Sequence, residues 1–152
     1  MMTEVKRILL AEDNANDVGL TLTALRVNHL ANEVVVARDG AEALDYLYSR
    51  GTHVNRPAGR PALVLLDLKM PKVDGLEVVR RMRADAGLRE VPVVMLTSSR
   101  EERDIVMSYQ IGVNAYVVKP VAFDEFISAV RNLGLFWAVV NEPPPSSLSR
   151  AA

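Results

Sequence analysis

Short apolar runs of strand length recur along the chain, and each is followed by a stretch of helical periodicity. The runs are Ile8–Ala11, Val34–Ala37, Ala62–Leu66, Val91–Leu96 and Ala115–Val118. Runs of four to six apolar residues bounded by turn signals are typical of buried strands. After the first run, Val18, Leu22 and Leu25 recur at a spacing that places them on one helix face. The pattern therefore predicts five βα units.

Strict βα alternation predicts a five-stranded parallel sheet with helices on both faces and right-handed crossovers. The fourth helix is predicted from Glu101 to Ile111, closed by Gly112, and the last from Phe123 to Val140. The Gly- and Pro-rich stretch from Gly51 to Pro61 is predicted to be a loop, long for a compact α/β unit. We expect one α/β domain over residues 1–140 and a Pro/Ser-rich C-terminal extension over 141–152.

Composition narrows the classes of function. The chain has 152 residues, a formal net charge of -1, and no cysteine. Disulfides, cysteine nucleophiles and thiolate metal sites are therefore excluded. The near-neutral charge gives no reason to expect nucleic acid or a membrane surface as a partner, and no apolar run approaches the roughly 20 residues that span a bilayer. We expect a cytoplasmic protein with no output domain.

Polar residues stand where four of the predicted strands end. Glu12 and Asp13 follow the first strand, Asp67 the third, Thr97 the fourth and Lys119 the fifth. Because the carboxyl ends of parallel strands share one edge of the sheet, which is where such sheets bind ligands, these side chains are expected to converge.

Three clustered carboxylates repel one another unless protons or a cation compensate them. An all-oxygen donor set favours a hard cation, above all Mg2+, and neither His29 nor His53 lies at this edge to favour zinc. A divalent cation, an ammonium and a hydroxyl together suit a phosphoryl group, with Asp67 as the nucleophile that accepts it.

This set of residues resembles the receiver domain of two-component response regulators. The resemblance rests on Glu12-Asp13, Asp67, Thr97 and Lys119-Pro120 in this order and spacing, and it covers roughly residues 5–140. It implies a flavodoxin-like, doubly wound (βα)5 fold. It also implies a phosphorelay protein, not an enzyme, in which a histidine kinase forms an aspartyl phosphate on Asp67.

The resemblance also implies roles for individual residues. Glu12, Asp13, Asp67 and the main-chain carbonyl of Lys69 would bind Mg2+. Thr97 would contact the phosphoryl group, Lys119 would pair with it, and the Lys119-Pro120 peptide would be cis. Tyr116, three residues before the lysine, would be the aromatic switch residue.

Less specific sequence features indicate a subgroup of these response regulators. The long loop after the second helix, the Leu96–Ser99 run, Phe136-Trp137 and the Pro143–Pro145 run look like those of regulators that partner bacterial and cyanobacterial phytochromes. A bacteriophytochrome would then be the histidine kinase.

The end of the last predicted helix is apolar on all sides. From Leu133 to Val140 the only polar side-chain group is the Trp137 indole, and exposed apolar patches usually mark interfaces. We expect a homodimer through the Phe123–Val140 helix and the C-terminal extension. The alternative is that the tail folds back and covers this surface within one chain.

Other interpretations remain open. Singly, Glu12-Asp13 could be a helix N-terminal charge pair, Asp67 a turn residue, Thr97 a helix cap and Lys119 a surface lysine. A haloacid-dehalogenase-like phosphohydrolase also uses an Asp nucleophile, but it needs a second Asp where this chain has Lys69. A receiver that no longer accepts phosphate and serves as a binding scaffold is the third possibility.

Overall fold

The computed structural model describes residues 7–26, 33–107 and 109–132. Its strands are Arg7–Ala11 (β1), Glu33–Ala37 (β2), Leu63–Asp67 (β3), Val93–Thr97 (β4) and Ala115–Val118 (β5). Its helices are Ala15–Arg26 (α1), Gly40–Tyr48 (α2), Gly75–Ala84 (α3), Arg100–Met107 (α4) and Phe123–Asn132 (α5). The five predicted βα units are confirmed.

All five strands form one parallel sheet in the order β2-β1-β3-β4-β5. The strand order reverses between β1 and β3, which places the end of β3 at the middle of the sheet. All five residues of β3 are buried, as expected for a central parallel strand covered on both faces.

The core has two parts, one on each face of the sheet. Leu9 and Ala11 of β1 pack with residues of α2, α3 and α4, whereas Ile8 and Leu10 pack with residues of α1 and α5. This division follows from the strand period of two, which sends successive side chains to opposite faces. Because apolar residues cover both faces of the sheet, the sequences of the strands are continuous apolar runs.

Two predicted boundaries differ from those of the structure by two residues or more, and one cannot be compared. The fourth strand begins at Val93 rather than Val91 because the Val91 N–H bonds to Leu88 in a turn. The fourth helix ends at Met107 rather than Ile111, because Gln110 adopts a left-handed φ of 51°. The fifth helix is described only to Asn132, so the predicted segment from 133 to 140 lies outside the described residues, as does the extension 141–152.

A single arginine fixes the turn between α4 and β5. The Arg83 guanidinium, on α3, donates hydrogen bonds to the carbonyl oxygens of Gly112, Arg89 and Val91 and to Asn114 Oδ1, at 2.8–3.0 Å. Asn114 Oδ1 also accepts the first N–H of β4 at 2.8 Å. The turn is thus attached to α3 and β4, which explains why helical periodicity does not continue through it.

The predicted loop after α2 is held by its own side chains. It contains a short 3-10 turn at Gly51–His53. The Arg56 guanidinium stacks on the Tyr46 ring at 4.3 Å and donates hydrogen bonds to the carbonyl oxygens of Pro57 and Gly59. His53 Nε2 lies 3.0 Å from Glu42 Oε2. These contacts order the loop against α2.

We predict that Gly40→Ala destabilises the fold by about 2 kcal/mol or more. A Cβ at Gly40 would lie 1.8 Å from the Val73 carbonyl oxygen, so backbone would have to move. Urea unfolding measures the loss. Gly19→Ala is the matched control, because nothing lies within 4 Å of that Cβ and alanine favours helix by up to about 1 kcal/mol. Equal stability of the two variants would contradict the prediction.

Candidate functional site

The polar residues predicted to converge do meet at the carboxyl edge of the sheet. Asp67 pairs in register with Leu96, and Thr97 with Val118, so the ends of β3, β4 and β5 are adjacent. Glu12, Asp67 and Thr97 are buried, whereas Asp13 is exposed at the rim. The site, called the pocket below, therefore combines three buried polar side chains with one exposed carboxylate.

The Lys119 ammonium lies among three carboxylates. Its Nζ is 3.1 Å from Glu12 Oε1, 3.2 Å from Asp67 Oδ1 and 2.9 Å from Asp17 Oδ2. The lysine side chain is only 15% exposed, so this is a largely desolvated cation whose cost the carboxylates offset. The alternative of a solvated surface lysine is wrong.

Asp17 is a site residue that the sequence reasoning missed. It lies in the first turn of α1, four residues after Asp13. A helix that begins directly after a strand-end acidic pair brings its first turn back to the same edge, so this spacing could have indicated Asp17.

Burial and mutual repulsion change the acidity of the two inner carboxyls. Desolvation, followed by the charge of Asp67, raises the pKa of Glu12 to about 7. Desolvation also raises the pKa of Asp67, although a hydrogen bond with Glu12 and the Lys119 charge oppose the rise. The pKa of Lys119 is raised as well, because its carboxylate partners outweigh its desolvation. Without a further cation, the pocket thus favours a proton held between Glu12 and Asp67.

The carboxylates supply the oxygen ligands of a divalent-cation site. One ligand oxygen from each of Glu12, Asp13 and Asp67 lies within 4.8 Å of the others. A hard cation bound by oxygen ligands suits such a set. Burial, and for Glu12 also the charge of Asp67, raises the pKa values of both inner carboxyls, and a bound cation would oppose this rise.

Thr97 has an unpartnered hydroxyl. Its Oγ1 is buried and has no hydrogen-bond partner among the described residues, which is costly for a buried polar atom. It does not cap α4, since Ser99 Oγ accepts the Glu102 N–H at 3.1 Å. The cap interpretation of Thr97 is therefore wrong, and its hydroxyl is available to a ligand.

Two further features lie beside the pocket, and the first confirms a prediction. The Lys119-Pro120 peptide is cis. Tyr116 lies on β5, half-buried against the core, and desolvation raises its pKa. It lines a groove between α4 and α5 together with Arg103. The Lys69 side chain is 77% exposed and pairs with Glu102 at 3.1 Å.

The profile of the response regulator receiver domain matches residues 8–131. The chain belongs to the response regulator receiver family. Response regulator Rcp1 of Synechocystis is 37% identical over 132 residues, 87% of this chain and 88% of Rcp1. Rcp1 has also been solved in a Mn(2+)-bound form, with a TM-score of 0.69 over 88% of this chain and 94% of that one.

Two further receiver structures are similar. The bacteriophytochrome response regulator AtBRR is 63% identical, with a TM-score of 0.86 over 92% of this chain and all of that chain. The phosphorylated cyanobacterial phytochrome response regulator RcpA is 41% identical, with a TM-score of 0.70 over 88% of this chain and 94% of that one. The resemblance to phytochrome-associated receivers is therefore confirmed. In the part of the chain that the structure describes, no helix could cross a membrane.

We predict that the metal-free receiver loses stability as the pH rises from about 5 to about 8. A raised pKa means that folded Glu12 binds its proton more tightly than unfolded Glu12, so stability present at low pH is lost through pH 7. The loss should be on the order of 2 kcal/mol, measured by urea unfolding in EDTA. Glu12→Gln should remove most of it, and Glu125→Gln, at an exposed site on α5, should not. A slope unchanged by Glu12→Gln would contradict the assignment.

Proposed function

We propose that this receiver is a phosphorylation-dependent switch whose phosphoacceptor is Asp67. An Asp67 carboxylate oxygen attacks the phosphorus of a phosphohistidine on a histidine kinase. The O–P bond forms, the P–N bond breaks, and the imidazole keeps the electron pair and takes up a proton. The observation that carries the proposal is the pairing of buried Asp67 with Lys119 at 3.2 Å beside the unpartnered Thr97 hydroxyl.

Each residue of the pocket has a distinct role in this proposal. Glu12, Asp13, Asp67 and the Lys69 main-chain carbonyl would hold Mg2+, which supplies positive charge that neutralises the incoming phosphoryl group. The carboxylates fit this role because their oxygens already cluster. The preference for Mg2+ over other hard cations rests on the oxygen donor set.

Lys119 and Thr97 respond to the new group. The aspartyl phosphate carries about two negative charges, whereas the Asp67 carboxylate carried one. The Lys119 ammonium is shared among Glu12, Asp17 and Asp67, so it can transfer its contacts to the phosphoryl oxygens without crossing the pocket. The Thr97 hydroxyl, which has no partner among the described residues, would donate a hydrogen bond to the phosphoryl group, and its movement would shift the start of α4.

Tyr116 is the switch residue of the proposal. The ring is half-buried on β5 beside the groove between α4 and α5, so a shift of α4 changes the room available to it. Phosphorylation then moves a pre-existing equilibrium, and a full reversal from 1:99 to 99:1 would need about 5.5 kcal/mol of coupling. The output is a protein–protein contact made by this face, in the cytoplasm and without nucleic acid.

The kinase partner is a bacteriophytochrome in our proposal. The support is the similarity to AtBRR and RcpA, whose descriptions connect them with phytochromes. The phosphohydrolase alternative finds no support at the pocket. Lys69 occupies the position of the second Asp, and its side chain pairs with Glu102.

Acetyl phosphate with Mg2+ should label the wild-type chain once, and Asp67→Asn should abolish the labelling. The amide cannot attack phosphorus, although the variant is expected to fold, since the substitution removes a carboxyl whose burial is unfavourable. Intact-protein mass spectrometry measures the added phosphate. Asp104→Asn, which removes an exposed carboxylate of α4, is the control and should label normally. Undiminished labelling of Asp67→Asn would refute the assignment.

The chain should be a homodimer in solution through α5 and the segment that follows it. The support is the apolar composition of residues 133–140. Light scattering after size exclusion should give twice the 16.7 kDa chain mass, and Trp137→Lys should give the monomer because a charge is costly in an apolar interface. Asn55→Lys, at an exposed position in the loop after α2, is the control and should leave the dimer unchanged. A wild-type monomer at tens of micromolar would rule out the dimer.

A further inference from the structure

Glu102 lies outside the predicted site. Its carboxylate contacts two hydrogen-bond donors that closely follow Thr97 and Asp67 in the sequence. Glu102 Oε1 accepts the Ser98 N–H at 2.8 Å, and Glu102 Oε2 lies 3.1 Å from Lys69 Nζ. The Glu102 side chain is only 15% exposed although it belongs to the first turn of α4. Both of its oxygens are therefore engaged.

The two donors belong to the edge where a phosphoryl group would be added. Ser98 directly follows Thr97, whose buried hydroxyl has no partner among the described residues. Lys69 is two residues after Asp67. A main-chain N–H and an ammonium at this edge are donors of the kind that phosphoryl oxygens accept. In the unphosphorylated protein, both of these donors contact Glu102.

Glu102 is also within the electrostatic reach of the pocket. Partial desolvation raises its pKa, but the Ser98 hydrogen bond and the charges of Lys69 and Lys119 outweigh this and lower it. The Glu102 side chain is therefore an anion at neutral pH, and the Lys119 charge attracts it. A second anion on Asp67 would repel it.

A capping role alone does not account for these contacts. Ser99 and Glu102 have the spacing of a capping box, and Ser99 Oγ accepts the Glu102 N–H as expected. In that motif the glutamate accepts the N–H of the capping residue itself, which is Ser99. Here it accepts the N–H of Ser98, one residue closer to Asp67, and also pairs with Lys69.

We propose that Glu102 is a resting-state competitor of the phosphoryl group. Its carboxylate occupies the Ser98 N–H and the Lys69 ammonium until phosphorylation of Asp67 displaces it. Glu102 is therefore a positioning residue that opposes the phosphorylated state and connects the pocket to the first turn of α4. The proposal rests on Asp67 as the phosphoacceptor.

The test compares the full-length wild-type chain with Glu102→Gln and Glu101→Gln by calorimetric titration of beryllofluoride in Mg2+. Glutamine keeps an oxygen that can accept the Ser98 N–H, so the cap is retained while the charge is removed. Glu102→Gln should bind beryllofluoride more tightly by roughly threefold, the size expected of a partly exposed charge interaction. Glu101→Gln, an exposed neutralisation in the same helical turn, should match the wild type.

The outcomes separate this proposal from the proposed function. If the wild type binds beryllofluoride and Glu102→Gln binds it with the same or weaker affinity, the competitor role is overturned. The assignment of Asp67 as the phosphoacceptor then still stands. A change in thermal unfolding without a change in affinity overturns the competitor role too, because that is the result of a cap alone. Failure of the wild type itself to bind beryllofluoride with Mg2+ refutes the phosphoacceptor assignment, and the competitor role with it.

Discussion

The carboxyl edge of the sheet in this receiver depends on one largely desolvated cation. Lys119 stands at the end of β5 and holds together carboxylates from β1, α1 and β3. Removing Lys119 would leave these carboxylates without their shared cation in a desolvated pocket, which is more costly than the net gain from the ion pairs. The same arrangement suits a reaction at Asp67, because an ammonium shared among three carboxylates can transfer its contacts to a more highly charged anion.

The parallel sheet makes this arrangement possible. The strands β1, β3 and β4 are buried along nearly their whole length, so their polar residues are confined to the ends, where the chain leaves the apolar layers. The reversal of strand order between β1 and β3 places Asp67 at the centre of that edge. Its neighbours therefore come from the ends of β1, β4 and β5 and from the first turn of α1, and none of them has to be close to Asp67 in sequence.

Much of this could be predicted from the sequence, for identifiable reasons. Period-two burial and strand-end polar residues are local patterns, so β1 to β5 and the roles of Glu12, Asp67 and Lys119 as edge residues could be predicted. Asp17 was missed although its spacing after Asp13 could have indicated it. Glu102 could not be predicted, because it joins the pocket through a helix turn whose direction depends on tertiary packing. The end of α4 was missed for the same reason, since Arg83 fixes the following turn from α3.

The Arg83 contacts have a mechanical consequence for signalling. They anchor the segment beyond the C-terminal end of α4 to α3 and to the start of β4. The other end of α4 is held at the pocket by Glu102, through one hydrogen bond and one ion pair. A helix fixed more firmly at its far end can pivot more readily than it can slide. The largest displacement would then fall on its first turn, and the amplitude would decrease toward Met107.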